Sequence, residues 1–174
     1  MSALALPLQI ERTSDLAYKV AIYDYAGRAG QAVRRLKYSR STSLTSWMAS
    51  EIARASQLVP FDVVIPVPIH WARRNERGFN QSELLASALP SSPELLKRIR
   101  RTRPQVGLTR EQRMTNLSGA FLASPLASGL SVLLIDDVVT SGQTARECAK
   151  ELLSKGAREV GVLAFCGEPG FREA

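Results

Sequence analysis

The chain has 174 residues, 45% of them hydrophobic, with 23 Lys and Arg against 16 Asp and Glu and a formal net charge of +7. That length suits one domain with a substantial core, and two cysteines without metal-ligand spacing read as buried thiols in a reducing compartment. The apolar opening Ala3–Ile10 lacks a basic leader and soon meets Glu11 and Arg12. It is expected to be neither a signal peptide nor a membrane span, which needs about 20 apolar residues, and a cytoplasmic protein follows.

In chain order, a strand is predicted near Lys19–Tyr25, followed by helices near Arg28–Tyr38 and Ser43–Gln57. The apolar run that follows predicts a strand near Asp62–Val67, where Pro66 and Pro68 limit the ladder and force the chain to turn. Arg73, Arg74 and Arg77 place cations near that turn, before a helix near Gln81–Ala88. Arg77 is favoured among them because Gly78 allows close backbone approach. His70 is the sole histidine, so neither a metal site nor a Ser-His-Asp triad is supported, and a turn-stabilising role suits it at least as well as catalysis.

Pro90–Pro93 and Ala123–Gly129 read as loops within one domain. Between them, strands are predicted near Leu95–Arg100 and Ala120–Leu122, with a helix near Thr109–Asn116. Lys97 to Arg113 carries seven basic residues and one acid, +6 in a single segment, leaving about +1 for the rest of the chain. Pro104 and Gly107 make its middle irregular, which suits a lid able to close over a polyanion or grip a nucleic-acid backbone. A solvated surface loop is the plain alternative.

Ser131 to Ile135 is short, continuous and partly β-branched, as in a strand buried on both faces of a parallel sheet, predicted over Ser131–Asp136. Asp136 and Asp137 follow it and point to opposite sides if the strand persists. Thr140-Ser141-Gly142-Gln143-Thr144 then supplies hydroxyls and a tight turn before a helix near Thr144–Lys155, whose free N–H groups and dipole favour a phosphate. Acids for vicinal hydroxyls beside a phosphate cradle describe a phosphosugar site. Lys155-Gly156 ends the helix, and a strand near Glu159–Phe165 is the last predicted element.

Other readings of the acidic strand fail on companions. A receiver domain needs more strands after its acids than the one that remains, and a P-loop ATPase needs an upstream Gly-x-x-x-x-Gly-Lys-Ser/Thr that is absent. Simple strand ending plus helix capping does not require two adjacent acids followed by five small or polar residues. The alternation of elements predicts an α/β fold, a mostly parallel central sheet flanked by helices, with ligand at the strand carboxyl ends.

These residues carry a family resemblance. The stretch from Val132 to Thr144 resembles the phosphoribosyl-pyrophosphate (PRPP) signature of type I phosphoribosyltransferases. Three more segments resemble the ComF/GntX-like branch: Tyr25–Gly27 with Val33–Tyr38; Ile65–His70 with Arg77–Ser82; and Arg103–Leu108 with Arg113 and Asn116–Phe121. Together they span about Tyr25 to Cys166 in order. Many ComF-like proteins carry an N-terminal Cys-x-x-Cys zinc ribbon, which this sequence is expected to lack, so no role of that ribbon carries over.

The resemblance implies a single phosphoribosyltransferase-like domain over 1–174, with a small N-terminal hood in 1–58 and a PRPP-binding core in 59–174. It assigns Asp136 and Asp137 to the ribose hydroxyls. Val138, Val139, Thr140, Ser141, Gly142, Gln143 and Thr144 go to the 5-phosphate, and Val67, Pro68, Arg77, Gly78 and Lys37 to pyrophosphate. Arg100 and Arg103 on the lid join the two acids as the expected catalytic set. Mg2+ is expected to bind mainly through PRPP, with no protein metal site of its own. Displacing pyrophosphate from the ribose passes through an oxocarbenium-like state and requires no covalent nucleophile, only positioning and charge stabilisation.

The implied reaction is phosphoribosyl transfer from PRPP with pyrophosphate release, to an acceptor base or amine that no segment identifies. The alternative is a non-catalytic PRPP-site protein acting in DNA uptake, touching single-stranded DNA through the arginine-rich loop. That loop contains no stacking aromatic, and Trp71 and Phe79 lie on the neighbouring one. No membrane contact is expected, no helix-turn-helix is visible, and a homodimer is left open.

Overall fold

The computed structural model describes residues 15–38, 43–102 and 117–167. Its centre is a four-stranded, all-parallel sheet built from β1 (Lys19–Asp24), β2 (Val63–Pro66), β5 (Ser131–Val139) and β6 (Glu159–Gly167), in the order β1-β6-β5-β2. β3 (Leu96–Arg98) and β4 (Phe121–Ala123) form a separate antiparallel pair. The helices are α1 (Arg28–Tyr38), α2 (Thr45–Ser56), α3 (Trp71–Arg77), α4 (Gln81–Leu85) and α5 (Gln143–Ser154).

Two buried clusters cover the two faces of the sheet. On one, Val132 and Leu134 of β5 and Val160 and Val162 of β6 meet Ala145, Cys148, Ala149 and Leu152, the apolar stripe of α5, together with Leu96 and Phe121 of the β3–β4 pair. On the other, Leu133, Ile135, Leu163 and Phe165 meet Val33 and Leu36 of α1, Met48 and Ile52 of α2, and Leu85 of α4. Val132 to Ile135 are fully buried because successive residues serve opposite faces, each burial worth about 1.5–3 kcal/mol. The mostly parallel sheet with helices on both sides is the architecture expected from the alternating pattern. β1, α1 and α2, from the N-terminal third, share the sheet and core with the rest.

The structure corrects several expected boundaries. β5 runs on to Val139, because Val138 and Val139 continue the ladder opposite Cys166 and Gly167. The two acids therefore sit inside a strand rather than at its end. Residues 71–77, expected as a basic turn, form α3. His70 caps it, its Nδ1 accepting from the Ala72 N–H at 3.2 Å, and Gly78 closes it in the left-handed conformation at φ 87°. α4 stops at Leu85, short of the expected Ala88. The expected helix near Thr109–Asn116 lies outside the described residues. No helix among the described residues is long and apolar enough to cross a membrane.

Candidate functional site

β5 carries the acids to the site on opposite faces. Asp136 continues the row of Val132 and Leu134 toward α5 and the β3–β4 pair, while Asp137 continues the row of Leu133 and Ile135 toward α1. Lys37, the penultimate residue of α1, reaches Asp137 with Nζ 3.0 Å from Oδ1. Burial works against that ammonium, yet Asp137, its hydrogen bond and Asp136 outweigh the penalty and raise the lysine's pKa. Lys37, expected at pyrophosphate, pairs with Asp137 in the free protein.

Asp136 is held differently. Its Oδ1 accepts from the Asp137 N–H at 2.8 Å and from the Ser82 hydroxyl at 3.3 Å. Burial first, and then Asp137, push its carboxyl up to about 7, against the opposing pull of Lys37 and these hydrogen bonds. One acid is a salt-bridged carboxylate and its neighbour exchanges its proton near neutrality. The sequence shows the pair but not this division, which comes from contacts 54 and 100 residues away.

Beyond the acids, Val138 and Val139 belong to the strand, so the turn proper is Thr140–Gly142, with Gln143 and Thr144 opening α5. Gly142 caps the helix at φ 74°, a conformation that costs L side chains about 1–2 kcal/mol. Ser141 shapes the turn, its hydroxyl accepting from the Gln143 N–H at 3.4 Å and its carbonyl accepting from Arg146 at 2.7 Å. The Gln143 amide turns back to Glu147 at 3.2 Å. Two cations border this turn that the sequence reading did not assign. A Cβ built on Gly142 would lie 3.5 Å from Lys19 Cδ and 4.0 Å from the Arg146 guanidinium. Lys19 comes from β1, so only the assembled sheet brings it here.

On the opposite flank, Val67 follows β2, its N–H donating to the Ile135 carbonyl at 2.9 Å and its own carbonyl accepting from Asn80 Nδ2 at 3.1 Å. Asn80 also caps α4 by accepting from the Ser82 N–H, so one buried side chain ties the Val67–Pro68 turn to the residue that holds Asp136. Beside it the Gln81 amide nitrogen is buried without a hydrogen-bond partner. Arg77 ends α3. Gly78 is required there by its positive φ, not by close approach: a Cβ on it would meet nothing within 4 Å.

Arg100 donates to the Ser118 carbonyl at 2.6 Å, and Arg101 lies 3.4 Å from Glu76 of α3, so the start of the basic segment rests against that helix. Arg103 and the remainder of the segment to Arg113 lie outside the described residues. Among the described residues no three His, Cys, Asp or Glu side chains cluster as a metal site.

A model of the phosphoribosyl transferase domain matches residues 76–173, more than half of the chain. The chain is 34% identical over 161 residues to the DNA utilization protein YhgH of Salmonella typhi, covering 84% of this chain and 70% of that one. It is 35% identical over 118 residues to competence protein F of Haemophilus influenzae, covering 63% of this chain and 52% of the relative. To competence protein ComFC of Bacillus subtilis it is 28% identical over 150 residues, 83% of this chain and 61% of that protein. The matched span contains β5, both acids and the turn that follows them, and the chain belongs to the phosphoribosyl transferase domain family, in its ComF-like branch.

Proposed function

We propose that the chain binds PRPP and transfers its phosphoribosyl group to a base or amine with release of pyrophosphate. The observation that carries this reading is the placement of Asp136 and Asp137 in one strand, immediately before a turn bordered by Lys19 and Arg146. In this reading the acids take the ribose hydroxyls and residues 138–144 take the 5-phosphate. The Val67–Pro68 turn, Lys37, Arg77 and Gly78 line the pyrophosphate side, with Arg100 and Arg103 above it.

α1 acts as the hood. Its Lys37 gives Asp137 a counter-charge in the free protein, and ribose hydroxyls would take over part of that role. Asp136, exchanging its proton near neutrality, can either donate to or accept from a sugar hydroxyl. Asp136 and Asp137, with no third acid clustered beside them among the described residues, fit a Mg2+ carried chiefly by the diphosphate, which when bound would offset the leaving group's charge. The chain's own part is to orient the ribose, anchor both phosphate ends and exclude water. A cytoplasmic location, where such metabolites are found, goes with this reading.

Titration calorimetry with Mg2+ and PRPP tests it. Wild-type binding is expected, with none for the Asp136→Asn, Asp137→Asn double variant. Equal affinity in the two would refute the site assignment. Pyrophosphate release measured across a panel of bases and amines separates transferase from binding module.

A second reading, single-stranded DNA handling, is favoured by Trp71 and by the relatives' names. Trp71 opens α3 with 66% of its surface exposed, on the helix that carries Arg73 and Arg74 and meets Arg101 through Glu76. In this reading Trp71→Ala and Arg101→Gln each weaken single-strand binding, and only Arg101→Gln lowers its salt slope. Binding indifferent to both substitutions would discard it.

A further inference from the structure

The half-buried Arg98 has a role in neither assignment. It ends β3 opposite Phe121, with its guanidinium carbon 5.3 Å from the centre of that ring, and Nη2 donates to the Thr102 hydroxyl. Its Nε is buried without a hydrogen-bond partner, and no carboxylate forms an ion pair with it among the described residues. An orphaned donor on a charged group is costly and calls for an acceptor.

The position says which acceptor. The β3–β4 pair packs on the same sheet face as Val132 and Leu134, and Asp136 is the next residue of that row. Arg73, on α3 just beyond the Val67–Pro68 turn, is a second cation within electrostatic reach of Arg98, and it forms no ion pair among the described residues, whereas its neighbours Arg74 and Glu76 pair with Glu83 and Arg101. Burial and then Arg73 push the Arg98 pKa down, against the weaker opposing pull of Cys148 and Asp136. Two guanidiniums within electrostatic reach of each other, with Asp136 as the carboxyl that attracts Arg98, leave an excess of positive charge. An oxyanion with several acceptors compensates it.

We infer that Arg98, assisted by Arg73, binds the diphosphate group of PRPP from the flank opposite Lys37, with Phe121 as the platform that fixes the guanidinium plane. This rests on the PRPP reading above and adds to it the residues that hold the leaving group. A guanidinium seated over the ring keeps its remaining N–H groups for phosphate oxygens.

The test uses the full chain with two probes, Mg2+-pyrophosphate and ribose 5-phosphate, titrated calorimetrically into wild type, Arg98→Gln, Arg98→Lys and Arg73→Gln. Thermal melts check that each variant is folded. Arg98→Gln is expected to weaken pyrophosphate by about tenfold or more while leaving ribose 5-phosphate within about twofold, as loss of a charge-assisted donor predicts. Arg73→Gln has a smaller effect in the same direction, and Arg98→Lys restores part of the loss. Unchanged pyrophosphate affinity, or equal weakening of both probes, overturns the assignment of Arg98 while leaving the PRPP reading standing. If wild type binds neither probe, the PRPP reading falls and this inference with it.

Discussion

Replacing Asp136 by Asn should stabilise the free protein while destroying its site. The Asp136 carboxyl is raised to about 7 from the ordinary 3.8, so the native state holds this proton more tightly than the unfolded chain. Its contribution to stability is therefore complete below about pH 4 and is lost as pH rises through about 7. Roughly three pH units at about 1.4 kcal/mol each set an upper bound near 4 kcal/mol. Partial exposure of the side chain brings the expected value to about 2 kcal/mol. Asn retains the oxygen that accepts from the Asp137 N–H and the Ser82 hydroxyl but carries no charge to desolvate. In a chain of this length, about 2 kcal/mol corresponds to about 4–8 °C in Tm. Melts at pH 8 should show that gain, melts at pH 4 should show little of it, and PRPP binding should be absent at both. A variant no more stable than wild type at pH 8, or equally stabilised at both pH values, would refute the reasoning.

Other substitutions probe different links. Lys37→Met leaves Asp137 buried without its cation and should cost about 3 kcal/mol in urea unfolding; a loss under 1 kcal/mol would mean the pair is solvated. Gly161→Ala places a Cβ 2.1–2.5 Å from the ring of Tyr18, whose hydroxyl donates to the Pro60 carbonyl, and should cost at least about 2 kcal/mol. Adding Tyr18→Ala should make the glycine change nearly neutral within that background, and a strictly additive double-mutant cycle would exclude the clash as its cause. Gly142→Ala and Gly78→Ala should each cost about 1–2 kcal/mol for their positive φ. Ribose 5-phosphate affinity should fall only in Gly142→Ala, and a parallel fall in Gly78→Ala would argue against the assignment of the turn.

The sequence exposed what local pattern encodes. The continuous run Val132–Ile135 announced a doubly buried strand, and the glycine turn before Thr144 with Gly156 after Lys155 announced α5. Two acids before a hydroxyl-rich turn pointed to the candidate site. Local pattern could not show that β6 would keep β5 extended past its acids, since that depends on pairing with Cys166 and Gly167. α3 escaped notice because none of its residues is buried, so it has no apolar periodicity; its caps, His70 and Gly78, were its only signals. Lys19, Ser82 and Arg98 were illegible for a third reason. Each acquires its meaning from a partner or neighbour in a distant part of the chain, and isolated Lys, Ser and Arg carry no sequence mark of such a meeting.

The order β1-β6-β5-β2 places the last of these strands between the first and the acidic one. On a ribosome, β2 and β5 can pair as soon as both emerge, but β1 has nowhere to dock until residues 159–167 have been made. Strand β1 brings Lys19 to the turn, and the helix that follows it brings Lys37 to Asp137. Synthesis therefore produces a nascent chain with its acids already in their strand and their cations still undelivered. The candidate site is completed in one late step, when β6 pairs, a high-separation pairing of the kind that slows folding.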